Sequence, residues 1–345
     1  MIYIETDSTT PAVNLAYEEY FLKGAALEQD LFMLWQNEPA VVVGRFQNTL
    51  EEIDAAFAAA HQIQVIRRIS GGGAVYHDLG NLCFSFILHD IQPKILDKSK
   101  YARPLVEALR RLGVDAAVSG RSDLMVGGRK FSGSAMALHK DRLLFHGTLL
   151  FDTDLEVLAA VLRGRGSGIL SKAVKSVRSG VTNLKGYLRQ PMDVIQFKRS
   201  LRELLSAARP APAYIPRPED LDAIRKLAAA KYETWNWNFA NDPGCRIHRS
   251  CLLMDGVVEL DLELEKGQIQ SCRITSNSGR SAALGKIANR LIHVRFTPAD
   301  MLGALAGLEI EEHPGSISRE GLVQWIVNGS EDPAAAPRVP EGGML

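Results

Sequence analysis

The chain has 345 residues, 46% of them hydrophobic and 23% charged. Lys+Arg and Asp+Glu number 40 each, so the formal net charge is zero. That balance argues against a constitutive nucleic-acid coat or a membrane-surface binder. The length predicts about two domains and a core that needs no disulfide or metal staple. Cys83, Cys245, Cys251 and Cys272 are widely scattered and make no disulfide framework. They favour a reducing compartment and a cytoplasmic location. The opening MIYIETDSTT lacks the basic and apolar regions of a signal peptide. No run approaches the ~18 apolar residues of a membrane span.

Thr10-Pro11 places a proline in the first turn of a helix running to about Gly24. Leu31–Gln36 and Ala40–Val43, either side of Glu38-Pro39, read as a hairpin. A helix over Glu51–Ala60 leads to a strand over Ile63–Ile69, the loop Ser70–Gly73 and a strand over Ala74–His77. Asn81–Leu88 is an apolar run of strand length, and Tyr101–Leu112 reads as a helix. Val114–Val118, Asp123–Val126 and Leu143–Phe151 read as further strands. Thr153 and Glu156 have the spacing of a capping box for a helix to about Leu162. Arg163–Asn183 is Gly/Ser-rich and basic, with no acidic residue. Helices over Asp193–Ala208 and Glu219–Tyr232 flank a Pro-rich linker. Beyond TWNWNF, Cys251–Glu265 and Gln268–Ser276 read as strands around a Lys266-Gly267 turn. Helical segments follow, one opened by Thr297-Pro298. A boundary near Gly244–Arg249 gives domains of 1–244 and 245–335, with a frayed Pro/Gly/Ala-rich tail at 336–345. Adjacent hairpin-like strands mixed with helices favour α+β over a doubly wound parallel sheet.

The strongest chemical feature is the run RRISGGGAVYHD, Arg67–Asp78. Glycines between strands let backbone N–H groups converge on an anion at close range. Arg67 and Arg68 are suited to give charge-assisted hydrogen bonds to phosphate or carboxylate. An isolated triple glycine is more often a flexible turn; here the arginines and apolar flanks tip the reading to an anion site. The P-loop pattern is absent. Tyr76 stands where G-x-G-x-x-G would need its third glycine. Lys130, in Gly127–Ala135, sits among small residues that admit a ligand, and its ammonium suits phosphate. Alone it would more often be a solvated hairpin lysine. Asp123 suits orienting a cation or an attacking amine, or capping a turn. His146 reads equally as a site residue or as a satisfied strand histidine.

RR-x-SGGGAVYHDLGN, GRSDL, GRKFSGSA, HGTLL and SVRSGVTNL, in this order and spacing, resemble the lipoate–protein ligases. With Asn14–Glu19 and Gly44–Asn48, the likeness runs from about residue 1 to the low 330s. TWNWNF and GVVELDLELEKGQIQ resemble the start of the accessory domain in the long, two-domain ligases. The resemblance implies a catalytic domain akin to biotin ligases and class II aminoacyl-tRNA synthetases, with a small α+β C-terminal domain. It implies that lipoate and ATP form lipoyl-AMP and pyrophosphate. The lipoyl group then passes to a lysine of apo lipoyl domains in 2-oxoacid dehydrogenase E2 subunits or of glycine cleavage H protein. Mg²⁺ is expected with ATP, without a dedicated protein cage.

By the same resemblance, Arg68, Gly73, Ala74, Val75 and Tyr76 hold the nucleotide and adenylate. Lys130 is the catalytic lysine, touching both ATP and lipoate. Ser70, Gly71, Gly72, His77, Asp123, His146 and Arg178 belong to the lipoate and adenylate pocket. Arg163–Asn183 resembles the loop that closes over the adenylate; Gly180 departs from the bulkier residue more usual there. The rival is a lipoyl/octanoyl transferase of the same fold, which works through a cysteine thioester without ATP. Cys83, the one cysteine of the first domain, lies in an apolar run and reads as structural, which favours the ligase. Cys245, His248, Cys251 and Cys272 offer metal-ligand chemistry, but in a strand His248 faces away from Cys245 and Cys251. Tyr187 is the single aromatic of the basic stretch 163–189, too few for a base-stacking surface.

Overall fold

In the computed structural model, which describes residues 1–24, 27, 29–89, 91, 97–120, 123–164, 168–176, 180–253, 256–277, 281–308 and 318–329, the apolar runs become the strands of two units. One comprises Met1–Gln47, Phe57–Arg163 and Val174–Asn238; the other comprises Asn48–Ala56, Gly164–Ala173 and Phe239–Leu345. The proposed tail at 336–345 lies outside the described residues.

The strands are β1 (Ile2–Ile4), β2 (Leu31–Trp35), β3 (Ala40–Val43), β4 (Gln64–Arg67), β5 (Val75–His77), β6 (Asn81–Leu88), β7 (Ala117–Ser119) and β8 (Asp123–Val126). They continue with β9 (Arg129–His139), β10 (Arg142–Leu150), β11 (Ile169–Ser171), β12 (Ala213–Tyr214), β13 (Cys245–Leu253), β14 (Gly256–Glu265) and β15 (Gln268–Ser276).

In the first unit one sheet has the order β12-β1-β2-β6-β10-β9-β8-β7 and a smaller one the order β4-β3-β5. The large sheet is mixed: β1 runs parallel to β2 and β12, whereas β6 pairs antiparallel with β2 and β10. LFMLW of β2 is buried along its whole length, as suits a strand with neighbours on both sides and layers on both faces. The expected hairpin of Leu31–Gln36 with Ala40–Val43 does not form. β2 pairs with β1 and β6, while β3 pairs with β4 and β5, so Glu38-Pro39 hands the chain from one sheet to the other. The helix expected over Glu51–Ala60 is broken into Thr49–Glu52 and Ala55–Ala60. Asp154, not Thr153, caps the helix Leu155–Val161, accepting from the amides of Glu156 and Val157 at 3.0 Å each.

The helix α1 (Pro11–Lys23) is buried on most of its circumference, so its polar residues need partners. Asn14 donates to Gln36 O and Asn37 Oδ1 at 2.8 Å each. Glu19 accepts from Lys23 at 2.7 Å, Lys231 at 2.6 Å and Tyr232 at 2.5 Å. Burial pushes the Glu19 carboxyl up, but these three hydrogen bonds outweigh it and hold it below its usual range. Lys231 in turn stands 3.8 Å above the Trp237 ring, joining TWNWNF to α1.

Arg67, at the end of β4, is fully buried. Its guanidinium donates to Gly44 O at 2.7 Å, Gln47 O at 3.0 Å and Asn238 O at 3.0 Å, and its amide to Asn238 Oδ1 at 2.9 Å. The sequence-based expectation that Arg67 serves an anion is therefore corrected: it ties three chain segments together.

The second unit has one antiparallel sheet, β11-β13-β14-β15. The stretch Cys251–Glu265, expected as one strand, is the end of β13 and all of β14. β14 alternates buried and exposed, the pattern of a sheet covered on one face. Leu260, Leu262, Ile269 and Ile274 pack in the core with Leu291, Trp325 and Ile326 of the C-terminal helices. Cys245 and Cys251 face this core, whereas His248 is exposed and 2.8 Å from Asp261. Two short segments from within the first 244 residues also belong here. β11 pairs with β13, and Asp242 accepts from the amide and hydroxyl of Thr49 at 2.9 Å each. No helix among the described residues is long and apolar enough to cross a membrane.

Replacing Arg67 with Met is expected to lower the unfolding free energy in urea by at least about 3 kcal/mol, because several buried carbonyls lose their donors at once. A loss below about 1 kcal/mol would show that those carbonyls find other partners.

Candidate active site

The loop after β4 is built by the second arginine. Arg68 donates through Nε to Ser70 Oγ at 3.0 Å and through Nη1 to Val42 O at 2.9 Å. Nη2 donates to Gly71 O and Gly73 O at 2.7 Å each. Burial, offset in part by Glu18 and aided by Arg67, pushes the Arg68 guanidinium down to about 10. The ring of acceptors draws the triple glycine round the guanidinium. Gly72 has φ +94°, a conformation open to glycine at little cost. Gly44 faces it so closely that a Cβ there would lie 2.1 Å from Gly72 O. The Arg68 side chain thus supports the loop by gripping its carbonyls, a role that the sequence alone does not show.

Beside this loop is a cavity of about 720 Å³. Its lining is mixed in chemistry. Leu15, Trp35, Val42, Val75 and Met136 are apolar; Gly71, Gly72, Gly73 and Ala74 bring loop backbone; Asp123, Lys130 and Lys175 bring charge. Such a combination suits a ligand with an apolar body and an anionic end.

Lys130 reaches the cavity because of an irregularity in the β8–β9 ladder. Asp123 pairs with Gly133 and Leu124 with Ser132, but Met125 pairs with Lys130. Phe131 is the extra residue, a β-bulge. Regular pairing would set Lys130 opposite Val126, on the buried face. The bulge moves it to the face of Asp123 and Met125, and its ammonium lies 2.8 Å from Asp123 Oδ1. The Lys130 backbone is held from the other side, donating to Gly180 O at 3.1 Å and accepting from the Thr182 amide at 2.8 Å. Among the described residues nothing lies within 4 Å of a Cβ built on Gly180.

Ser176 lies against the loop. Its hydroxyl accepts from the Ala74 amide at 2.9 Å and from Gln47 Nε2 at 3.1 Å. A Cβ on Gly73 would come within 2.8 Å of that oxygen. His77 is buried, with Nδ1 3.0 Å from Asn37 Nδ2. Since the amide is the donor, Nδ1 accepts and the ring proton sits on Nε2. Burial first, then the Arg68 charge, lowers the His77 imidazole to about 3, so it is neutral at physiological pH. Cys83 Sγ lies 3.6 Å from His77 Nδ1. Burial pushes this thiol well above its usual range, the opposite of what a nucleophilic cysteine needs.

The cavity lining brings together Arg68, Gly71, Gly72, Gly73, Ala74, Val75, His77, Asp123, Lys130 and His146. Ser70 and Tyr76 are buried and outside that lining. Ser70 sits beneath the loop, 2.6 Å from His146 Nε2, and Tyr76 pairs with Val41 in the small sheet. Arg178 lies outside the described residues. Sequence reasoning misses Trp35, Met136 and Ser176. Trp35 and Met136 look like ordinary strand residues, and for Ser176 the only signal is its place at the head of SVRSGVTNL.

Residues 10–206 match the family model for the lipoyl protein ligase A/B catalytic domain, and residues 242–326 match that for the bacterial lipoate protein ligase C-terminus. Lipoate–protein ligase 1 of Staphylococcus aureus is 36% identical over 318 residues, covering 92% of this chain and 97% of its own. A lipoate-protein ligase of Bacillus subtilis is 34% identical over 330 residues, covering 94% and 100%. Among solved structures, a putative lipoate protein ligase from T. acidophilum with bound lipoic acid is 26% identical, with a TM-score of 0.58 over 69% of this chain and 98% of that one. A lipoate-protein ligase A bound with ATP is 26% identical, with a TM-score of 0.57 over 69% and 97%. A bipartite lipoate protein ligase from Thermoplasma acidophilum, described together with its E2 lipoyl domain, is 25% identical, with a TM-score of 0.59 over 69% and 95%.

The buried neutral histidine sets a pH dependence. His77 has a folded value of about 3 against an ordinary 6.5, so the unfolded chain takes up the proton first. Its contribution to stability is complete above pH 6.5 and falls as pH drops from there toward 3. The melting temperature of the wild type is expected to fall more steeply than that of His77→Gln between about pH 7 and pH 5. Parallel curves would show that His77 is not held neutral.

Proposed function

Because the chain belongs to the lipoate–protein ligase family, we propose that it joins lipoate to ATP as lipoyl-AMP, releases pyrophosphate, and passes the lipoyl group to an acceptor lysine. The observation that carries this reading is the placing of Lys130 and the glycine loop on the same cavity lining as Trp35, Val42 and Met136. Lipoate has an apolar chain and ring and one carboxylate, which matches that division. The lipoic acid and ATP bound by related structures support the substrates.

In the first step a lipoate carboxylate oxygen attacks the α-phosphorus of ATP, and the bond to the β-phosphate oxygen breaks. Lys130 leaves Asp123 to neutralise charge on the carboxylate and the α-phosphate, which is the main form of catalysis open to such a transfer. The loop at Gly71–Ala74 admits the adenylate at close range. In the second step the acceptor amine attacks the lipoyl carbonyl carbon, AMP leaves with the electron pair of the C–O bond, and the amine loses a proton. Asp123 is the carboxylate of the lining suited to orient that amine. Mg²⁺ comes with ATP. No group of three or more His, Cys, Asp or Glu gathers as a metal site among the described residues. A single lining carboxylate fits an ion held chiefly by phosphates and water.

The acceptors are apo lipoyl domains of 2-oxoacid dehydrogenase E2 subunits and glycine cleavage H protein, in the cytoplasm. The E2 lipoyl domain described with the T. acidophilum ligase supports the first of these. In this reading residues 1–244 carry the acyl site and 245–335 serve the ATP-dependent step. A thioester route through Cys83 is disfavoured by the burial that raises its thiol.

Purified protein incubated with lipoate, Mg-ATP and an apo E2 lipoyl domain should add one lipoyl group, read by mass spectrometry of the acceptor. Lys130→Ala should lower lipoate-dependent ATP–pyrophosphate exchange about 10²- to 10³-fold, comparable to losing one preorganised donor. Its melting temperature should be nearly unchanged, since the ammonium is paired at a partly exposed site. Exchange within about threefold of wild type would remove Lys130 from the chemistry.

A further inference from the structure

Beneath the cavity lies a chain of hydrogen bonds that the proposed reaction does not use. Its centre is Glu18 of α1, a carboxylate that is 1% exposed. Glu18 Oε1 accepts from Ser85 Oγ at 2.5 Å and lies 2.8 Å from His146 Nδ1. Glu18 Oε2 has no hydrogen-bond partner among the described residues. On one side, Ser85 Oγ accepts from the indole Nε1 of Trp35 at 2.8 Å. On the other, His146 Nε2 lies 2.6 Å from Ser70 Oγ, which accepts from Arg68 Nε at 3.0 Å.

The protons can be assigned by counting. A serine hydroxyl has one proton. Ser85 receives the indole N–H, so its own proton goes to Glu18. Ser70 receives the Arg68 N–H, so its proton goes to His146 Nε2. The imidazole then carries its proton on Nδ1, facing the carboxylate. Every donor in both arms points towards Glu18.

We propose that Glu18 is a positioning residue that anchors both ends of the cavity at once. One arm fixes Trp35 among the apolar lining; the other fixes Arg68, whose guanidinium grips Gly71 and Gly73. This rests on the reading of the cavity as the lipoate and ATP site. Each arm then governs one substrate, and Glu18 governs both. The low dielectric around a buried carboxylate strengthens both arms, and it makes the loss of the charge felt at each end.

Two measurements test this. The first needs no substrate: ¹⁵N-histidine NMR, with His146 assigned through His146→Gln. His146 is expected as the Nδ1–H tautomer in the wild type, and in Glu18→Gln, which keeps the shape of the side chain and removes its charge, the Nδ1 proton is expected to move upfield as its charge-assisted hydrogen bond becomes a neutral one. An Nε2–H tautomer in the wild type overturns the relay. The second is lipoate-dependent ATP–pyrophosphate exchange. Ser85→Ala should raise the KM for lipoate about fivefold and leave that for ATP within about twofold. Ser70→Ala should do the reverse, and Glu18→Gln should raise both by about fivefold. Folded variants with both KM values within about twofold of wild type, or serine variants that shift both substrates alike, overturn the proposal. Should Glu18→Gln not fold, the two serine variants decide. A wild type with the expected tautomer but no lipoate-dependent exchange would sink the functional reading and leave the relay standing.

Discussion

Two adjacent guanidinium groups, both buried, organise the chain around the end of β4 by gripping carbonyl oxygens, Arg68 those of the loop between β4 and β5 and Arg67 those of the segments beside it. Removing a cation from water is costly unless its donors are met, and here the acceptors are almost all main chain. Successive residues at a strand end point to opposite sides. Arg67 therefore reaches Gly44, Gln47 and Asn238, and Arg68 reaches Val42, Gly71 and Gly73. A loop with three consecutive glycines would otherwise lose much entropy on ordering. Arg68 defines its path by holding Gly71 and Gly73, and the rest of the site is built against it: Ser176 on the Ala74 amide, His146 below through Ser70.

This arrangement explains why composition and motif misjudge Arg67 and leave the grip of Arg68 on the loop unseen. In sequence, RR beside GGG is a pattern for binding anions. In the fold Arg68 meets the dipoles of the loop's own carbonyls, and Arg67 those of Gly44, Gln47 and Asn238. The residue types are right for the region, and their direction is set by partners as remote in sequence as Asn238. The same distinction runs through the fold. The ends of α1, the length of β6 and the turn at Lys266-Gly267 are legible because proline, strand-length apolar runs and glycine act locally. The pairing of β2 and β3 is not, because two apolar runs around a proline turn look alike whether they pair with each other or with different sheets. Of the site, the glycine loop, Asp123, Lys130 and His146 stand out as chemistry. Trp35 and Met136 do not, since an apolar residue lining a cavity is indistinguishable from one filling a core.

The basic stretch 163–183 shows another limit. Its composition suggests one flexible loop, yet it serves two bodies. Ile169–Ser171 completes the sheet of the second unit, while Ser176 and the 180–182 backbone support the glycine loop and Lys130 in the first. Hydrogen bonds to main chain drive each of these contacts, and main-chain bonding leaves little trace in residue type.

The bulge at Phe131 has a consequence for how this strand can change over time. Side chains on β9 can be exchanged with the register intact, and the bulge residue can itself be lost without turning the lysine. Removing Phe131 would restore regular pairing with β8 and leave Lys130 opposite Met125, on the face of Asp123, while the local bend and added twist would go. Closing the ladder with all its residues kept is what would set Lys130 opposite Val126, on the buried face. A shorter β9 is therefore expected to lack the residue at Phe131 and to keep the lysine on the cavity face.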